Sequence, residues 1–408
     1  MAKVFHHYHL HSAASMIKTI QIIVPVAMAS LLILGAVHIC LDNLRNSQFR
    51  PLGQSSRNGF LGAPINVSAD ETIEHGCNVF EGKWVWDNVS HPLYTEESCP
   101  YLVKQVTCQR NGRPDSFYQN WRWQPKGCTL PRYNALKMLE MLRDKRLMFV
   151  GDSLQRGMFE SMVCLVESAI PEGRKSLEKV PPRKIFKIED FNATIEYYWA
   201  PFLVESISDQ ATNHTVSKRM VKLDSIEAHS KQWEGVDILA FESYVWWMST
   251  PLINATYGST DNVKEFDVTI AYRLALQTWA SWIESSINPE RQKVFFVTMS
   301  PTHLWKWEWK AGSDDGNCFN ETHPIQGPYW GTGSNLNIME AVRELTEKLH
   351  VNVRMLNITQ LSEYRKDAHT SVFGERKGKL LTKTQKSDPK NYADCIHWCL
   401  PGLPDTWN

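Results

Sequence analysis

From residue 131 onward, short apolar runs alternate with longer segments of helical period, and this alternation sets the expected architecture. The runs at 146–150 (RLMFV), 193–199 (ATIEYYW), 236–241, 294–299 and 353–356 have the length and the aliphatic and aromatic content of buried strands of the parallel-core type. Helices are predicted between them at 132–143, 154–166, 268–285 and 335–349; the first places Leu136, Leu139, Met141 and Leu142 on an apolar face. Strand and helix in turn imply an α/β domain at 131–408, a parallel sheet covered on both faces. In such folds sites form beyond the carboxyl ends of the strands.

Before residue 131 the texture is different. Residues 20–41 (IQIIVPVAMASLLILGAVHICL) carry no formal charge and, at about 1.5 Å per residue, are long enough for a transmembrane helix through about 30 Å of hydrocarbon. The apolar region of a cleaved signal peptide is shorter, roughly 7 to 15 residues. The expected order is therefore a cytosolic tail (1–19), an anchor (20–41) and a polar stem rich in Asn, Ser and Gly (42–75). A unit at 76–130 follows, dense in cysteine and aromatic residues. It is too small to build much core alone, so it is expected to be stapled by disulfides and packed on its neighbour.

Composition narrows the function classes. Lys plus Arg and Asp plus Glu both number 44, a formal charge of zero that gives no reason to expect nucleic acid as a partner. Beyond Cys40 stand Cys77, Cys99, Cys108, Cys128, Cys164, Cys318, Cys395 and Cys399. Their spacing matches no zinc pattern, no metal is expected, and an even set of eight favours disulfides in an oxidising compartment, although about 105 pairings are formally open. Seven Asn-x-Ser/Thr sequons agree with that compartment: Asn66, Asn88, Asn192, Asn213, Asn254, Asn320 and Asn357. Sequons and cysteines together place the bulk of the chain in a lumen, a type II orientation.

Two short motifs carry candidate chemistry. Gly151-Asp152-Ser153-Leu154 follows a predicted strand and opens a predicted helix, which exposes Ser153 where free backbone N–H groups could meet an oxyanion. On spacing alone the same serine is an ordinary helix cap. Near the other end, Asp394-Cys395-Ile396-His397 offers the base and the orienting carboxylate that a nucleophilic serine needs, with Cys395 and Cys399 available to pin the loop. Alone, each is equally a structural histidine and a turn aspartate.

GDSL at 151–154 resembles the first block of the SGNH (GDSL) esterases. CNVFEGKWVWD (77–87), GDSLQR (151–156), SYVWW (243–247), MSPTH (299–303) and DCIHWCLPGLPDTWN (394–408) resemble, more narrowly, the plant trichome birefringence-like family of wall-polysaccharide O-acetyltransferases. That resemblance implies Ser153 as acetylated nucleophile, His397 as base and Asp394 as its partner, in an SGNH-like domain behind a small disulfide-stapled N-terminal domain. It implies the pairs Cys77–Cys128, Cys99–Cys164, Cys108–Cys399 and Cys318–Cys395. Arg156 is implied as a substrate-cleft residue, with a salt-bridged helix arginine as the alternative. Trp121, Trp246 and Trp305 are candidate sugar platforms among 16 tryptophans, each with a core role as the alternative.

The implied activity is acetyl transfer in the Golgi, from acetyl-CoA or an acetyl carrier as co-substrate and with no bound cofactor, to a wall polysaccharide, xylan first among the acceptors. A polysaccharide acetylesterase and a non-catalytic polysaccharide-binding protein are the rival readings. Two departures from the family pattern stand out. Glu242 occupies a position where many members carry asparagine, and the sequence ends at Asn408 where relatives commonly continue into a short helix. An ionised glutamate cannot donate to an oxyanion.

Overall fold

The computed structural model describes residues 77–408, apart from 211–218, 249, 259–261, 314 and 377. The expected tail, anchor and stem, with the sequons Asn66 and Asn213, lie outside the described residues. Among the described residues no helix is long and apolar enough to cross a membrane.

Strands β1 (Gly82–Trp86) and β2 (Trp121–Pro125) form an antiparallel pair with Trp84 opposite Trp123. Those two rings are buried edge to face at 5.4 Å. Trp84 Nε1–H donates to Leu361 O at 2.8 Å, and the Arg365 guanidinium lies 4.4 Å above the Trp84 ring, so this small unit shares its core with the rest of the chain.

The larger domain opens with α1 (Ala135–Leu142), β3 (Arg146–Gly151) and α2 (Ser153–Glu167). A hairpin of β4 (Lys175–Val180) and β5 (Arg183–Ile188) leads into β6 (Ala193–Trp199). Then come β7 (Met220–Lys222), α3 (Glu227–Trp233), β8 (Ile238–Phe241), β9 (Leu252–Thr256), β10 (Lys264–Asp267) and α4 (Val268–Ser286). After β11 (Lys293–Val297), α5 (Leu336–Thr346) and β12 (Val353–Leu356), the chain forms β13 (His369–Ser371), the small hairpin β14 (Glu375–Arg376) and β15 (Lys379–Leu380), and β16 (Asp394–Trp398).

The main sheet has the order β12-β11-β8-β3-β6-β5-β4. Its first five strands are parallel neighbours, while β5 and β4 run antiparallel at one edge. The purely parallel sheet expected from sequence is thus corrected to a mixed one. Only Pro181 and Pro182 separate β4 from β5, a link too short for a crossover, and the lysine-rich outer strand suits a solvent edge. In β3, by contrast, five consecutive residues are buried, which requires cover on both faces. Phe149, Phe159, Phe186, Phe202 and Phe241 are all at or below 2 % exposure, each contributing about 1.5–3 kcal/mol of apolar burial. From β3 the chain crosses to the edge strand β4 and steps inward through β5 to β6, then passes to β8, β11 and β12 on the other side of β3, so the switch point lies between β3 and β8.

Candidate active site

Beyond the switch point the chain leaves β3 through Gly151 and enters α2 at Ser153. A Cβ on Gly151 would stand 2.4 Å from the Glu242 backbone oxygen at the end of β8, so only glycine fits between the two strand ends. Asp152 caps the helix, its Oδ1 accepting from Leu154 N–H at 2.8 Å. Gln155 Nε2–H donates to Ala240 O at 2.6 Å and Tyr197 O–H to Asp152 O at 2.9 Å, tying the turn to β8 and β6. Ser153 is left half-buried at a helix N-terminus, where unpaired N–H groups favour negative charge.

The candidate base comes from outside the main sheet. Strand β16 pairs antiparallel with β13 and brings His397 Nε2 to 2.7 Å from Ser153 Oγ, across 244 residues of sequence. His397 Nδ1 lies 2.7 Å from Asp394 Oδ2, and Asp394 Oδ1 accepts from the N–H groups of Ile396 and His397, both at 3.0 Å. Burial alone would raise the Asp394 carboxyl, but the charge and hydrogen bonds of His397 outweigh it and hold the group below the usual carboxylate range. A carboxylate at Nδ1 selects the Nδ1–H tautomer and leaves Nε2 free to accept the serine proton, the polarity that nucleophilic catalysis requires. Side-chain exposures of 20 % for His397 and 14 % for Asp394 leave the relay open to a substrate.

Four disulfides surround this arrangement: Cys77–Cys128, Cys99–Cys164, Cys108–Cys399 and Cys318–Cys395, the pairs named from the resemblance. Cys395 lies between Asp394 and His397 and Cys399 just after them, so the base loop is stapled on both flanks. Cys164 fastens α2, the nucleophile helix, to the small unit.

Residues 130–408 match the family described as GDSL/SGNH-like acyl-esterases found in Pmr5 and Cas1p, and residues 75–129 match the PMR5 N-terminal domain. The chain is 64% identical to protein trichome birefringence-like 31 of Arabidopsis thaliana, over 96% of this chain and 94% of that one. The chain belongs to the trichome birefringence-like family. Other relatives include probable xylan O-acetyltransferase 10 of Oryza sativa subsp. japonica, 49% identical over 82% of this chain and 76% of that one. Xylan O-acetyltransferase 6 of the same organism is 49% identical over 83% of this chain and 62% of its own length.

The remaining residues singled out in this family member fall in different places. Arg156 sits one turn after Ser153, but its guanidinium reaches Gln105 Oε1 and lies 3.7 Å from Glu160 Oε1, which makes it a link between helix and small unit. Trp246 is only 5% exposed, packed edge-on against Trp199 and Phe202 with Arg219 over its ring; as a sugar platform it is corrected to a core residue. Trp121 is half-buried against Trp86 and His323. Trp305 is 46 % exposed, two residues beyond His303, whose N–H donates to Cys395 O in the base loop. The sequon asparagines Asn88, Asn192, Asn254 and Asn320 are exposed and Asn357 is half-buried. Among the described residues no cluster of His, Cys, Asp or Glu could hold a metal ion.

Sequence reasoning missed a buried histidine pair behind the base. His369 Nδ1 is 3.1 Å from His397 O, its Nε2 is 2.7 Å from His303 Nδ1, and its ring stacks on Trp398 at 3.7 Å. Burial lowers both imidazoles, His303 to about 4, so both are neutral at physiological pH. His303 ends the MSPTH motif, a signal that was visible; His369 stands in no motif that points to it.

Proposed function

We propose that the protein is a xylan O-acetyltransferase working by double displacement, with Ser153 as nucleophile, His397 as general base and acid, and Asp394 as orienting carboxylate. The relay of two 2.7 Å contacts ending on a serine at a helix N-terminus carries this reading, and the relatives named as xylan O-acetyltransferases supply the acceptor. His397 takes the Ser153 proton as Oγ attacks the acetyl carbonyl of a donor, acetyl-CoA or a carrier. The donor's leaving group departs with that proton, leaving acetyl-Ser153. A sugar hydroxyl then attacks the ester, gives its proton to His397, and receives the acetyl group as Ser153 Oγ recovers a proton. Asp394 stabilises the imidazolium formed in each step, and backbone N–H groups at the start of α2 face the oxyanion. Trp305, exposed two residues beyond His303, remains the candidate to hold a pyranose ring.

The sequons, the four disulfides and the apolar run at 20–41 support a type II Golgi membrane enzyme with its catalytic domain in the lumen. The acyl-esterase description of the family favours hydrolysis as a second reading, since the same relay with water as acceptor releases acetate. Incubating the protein from about Asp42 onward with acetyl-CoA and xylo-, xyloglucan, manno- and pectic oligosaccharides separates the readings. Acetyl mass gained by xylo-oligosaccharide, and absent with Ser153→Ala, is the expected result; acetate release without gain makes it an esterase, and silence with every acceptor favours a binding protein.

A further inference from the structure

Asp152 and Glu242 face each other across the switch point, one capping α2 and the other following β8, at 0 % and 2 % exposure. Asp152 Oδ1 accepts from Leu154 N–H, whereas Asp152 Oδ2 and both carboxyl oxygens of Glu242 meet no donor in full hydrogen-bond geometry among the described residues, the N–H groups of Asp152 and Tyr244 approaching Glu242 only loosely. Two ionised carboxylates there would be buried like charges with acceptors only loosely met, a costly arrangement in a protein interior. A single proton between them removes one charge and supplies the missing donor.

We propose that Asp152 and Glu242 hold one proton between them, carried by Glu242, and that this neutral acid fixes the turn from which Ser153 projects, making Glu242 a positioning residue. A neutral carboxyl offers one acceptor and one donor, as the amide of an asparagine does, whereas an ionised one only accepts. The carboxyl is placed for the role: a Cβ on Gly151 would be 3.2 Å from Glu242 Oε2, so the group lies directly against the nucleophile turn.

The surroundings agree. Burial raises the Asp152 carboxyl to about 6 and that of Glu242 well above the usual range, the latter further raised by the charge of Asp152. Facing Glu242 are Tyr244 on its own segment, Tyr272 of α4 and Tyr197 of β6; burial keeps all three phenols protonated. Facing Asp152 are Arg156 of α2, which favours its ionised form, and His397 of β16, which does so when it carries a proton; with the Leu154 N–H already on Asp152 Oδ1, this assigns the proton to Glu242.

The positioning role serves the acetyl-transfer reading above, but the test does not depend on an acceptor. Its readouts are Tm from about pH 5 to about pH 9 and the rate at which a fluorophosphonate labels Ser153, for wild type, Glu242→Gln and Glu242→Met. The folded protein keeps a proton that the unfolded chain gives up above its ordinary carboxyl range, so stability is full at low pH and falls as pH rises. The wild-type folding constant should lose up to about tenfold more per pH unit than that of Glu242→Gln, which cannot titrate. Labelling should stay within about threefold of wild type in Glu242→Gln, with its alkaline decline moved to higher pH, and drop at least about tenfold in folded Glu242→Met. Equal pH slopes for wild type and Glu242→Gln would overturn the shared proton. Full labelling of Glu242→Met with an unchanged pH profile would overturn the positioning role. Failure of acetyl transfer to every acceptor, with both of these results as expected, would count against the proposed reaction alone.

Discussion

The two halves of the relay are held by different physics. Ser153 is placed by the sheet: β3 is buried on both faces, Gly151 fits against β8, and Asp152, Gln155 and Tyr197 lock the first turn of α2. His397 and Asp394 stand on a two-stranded ribbon outside that sheet, where Cys318–Cys395 and Cys108–Cys399 supply the rigidity. A nucleophile at a switch point inherits its position from the hydrophobic core. The ribbon is anchored by burial as well, through all of β13 and the His369–Trp398 stack, and there covalent cross-links are added to the packing.

The largest effect should come from chemistry on the ribbon side. Asp394→Asn keeps an oxygen for the Ile396 and His397 N–H groups but presents an amide N–H to His397 Nδ1, which selects the wrong tautomer. We expect kcat to fall by about 10³- to 10⁴-fold with Tm little changed, as measured by acetyl transfer and thermal melting. Next, replacing Cys318 and Cys395 by serine should cost about 2–5 kcal/mol and reduce kcat, whereas the same change at Cys77 and Cys128, which flank no residue of the relay in sequence, should affect melting far more than turnover. Equal losses of turnover in the two pairs would break the contrast. Smallest is Gly151→Ala on the sheet side. Its methyl group meets a backbone oxygen that must shift, for a loss of about 1–3 kcal/mol in denaturant titration accompanied by slower turnover.

The same contrast explains what could be read from sequence. Apolar runs such as 146–150 and 193–199 declare buried strands, and the helix at 268–285 differs from the observed α4 by one residue, because burial on both faces leaves a dense signal. The hairpin β4–β5, the β7–β9–β10 sheet and the β13–β16 ribbon escaped detection. β4 and β5 are lysine-rich and partly exposed, while β7 and the buried β13 are only three residues long, so composition does not separate them from loops. The motif resemblance named Ser153, His397 and Asp394, but the GDS spacing alone did not distinguish a nucleophile from a helix cap. Trp246 shows the opposite limit: tryptophan pairs look alike in sequence whether they face sugar or core, and only its packing against Trp199 and Phe202 decides. Glu242 was visible as a departure, whereas its burial opposite Asp152 depends on two strand ends meeting 90 residues apart and has no local signature.

The Cys108–Cys399 bond also sets a schedule. Its two halves are 291 residues apart, so at about 5–20 residues per second Cys108 waits roughly 15 to 60 s during synthesis before its partner exists. For most of that interval Ser153 exists without His397, so the relay is incomplete in a growing chain. Neither cross-link beside His397 can form before residues 395 and 399 exist, so the Ser153–His397–Asp394 geometry is fixed only once nearly the whole chain has been made.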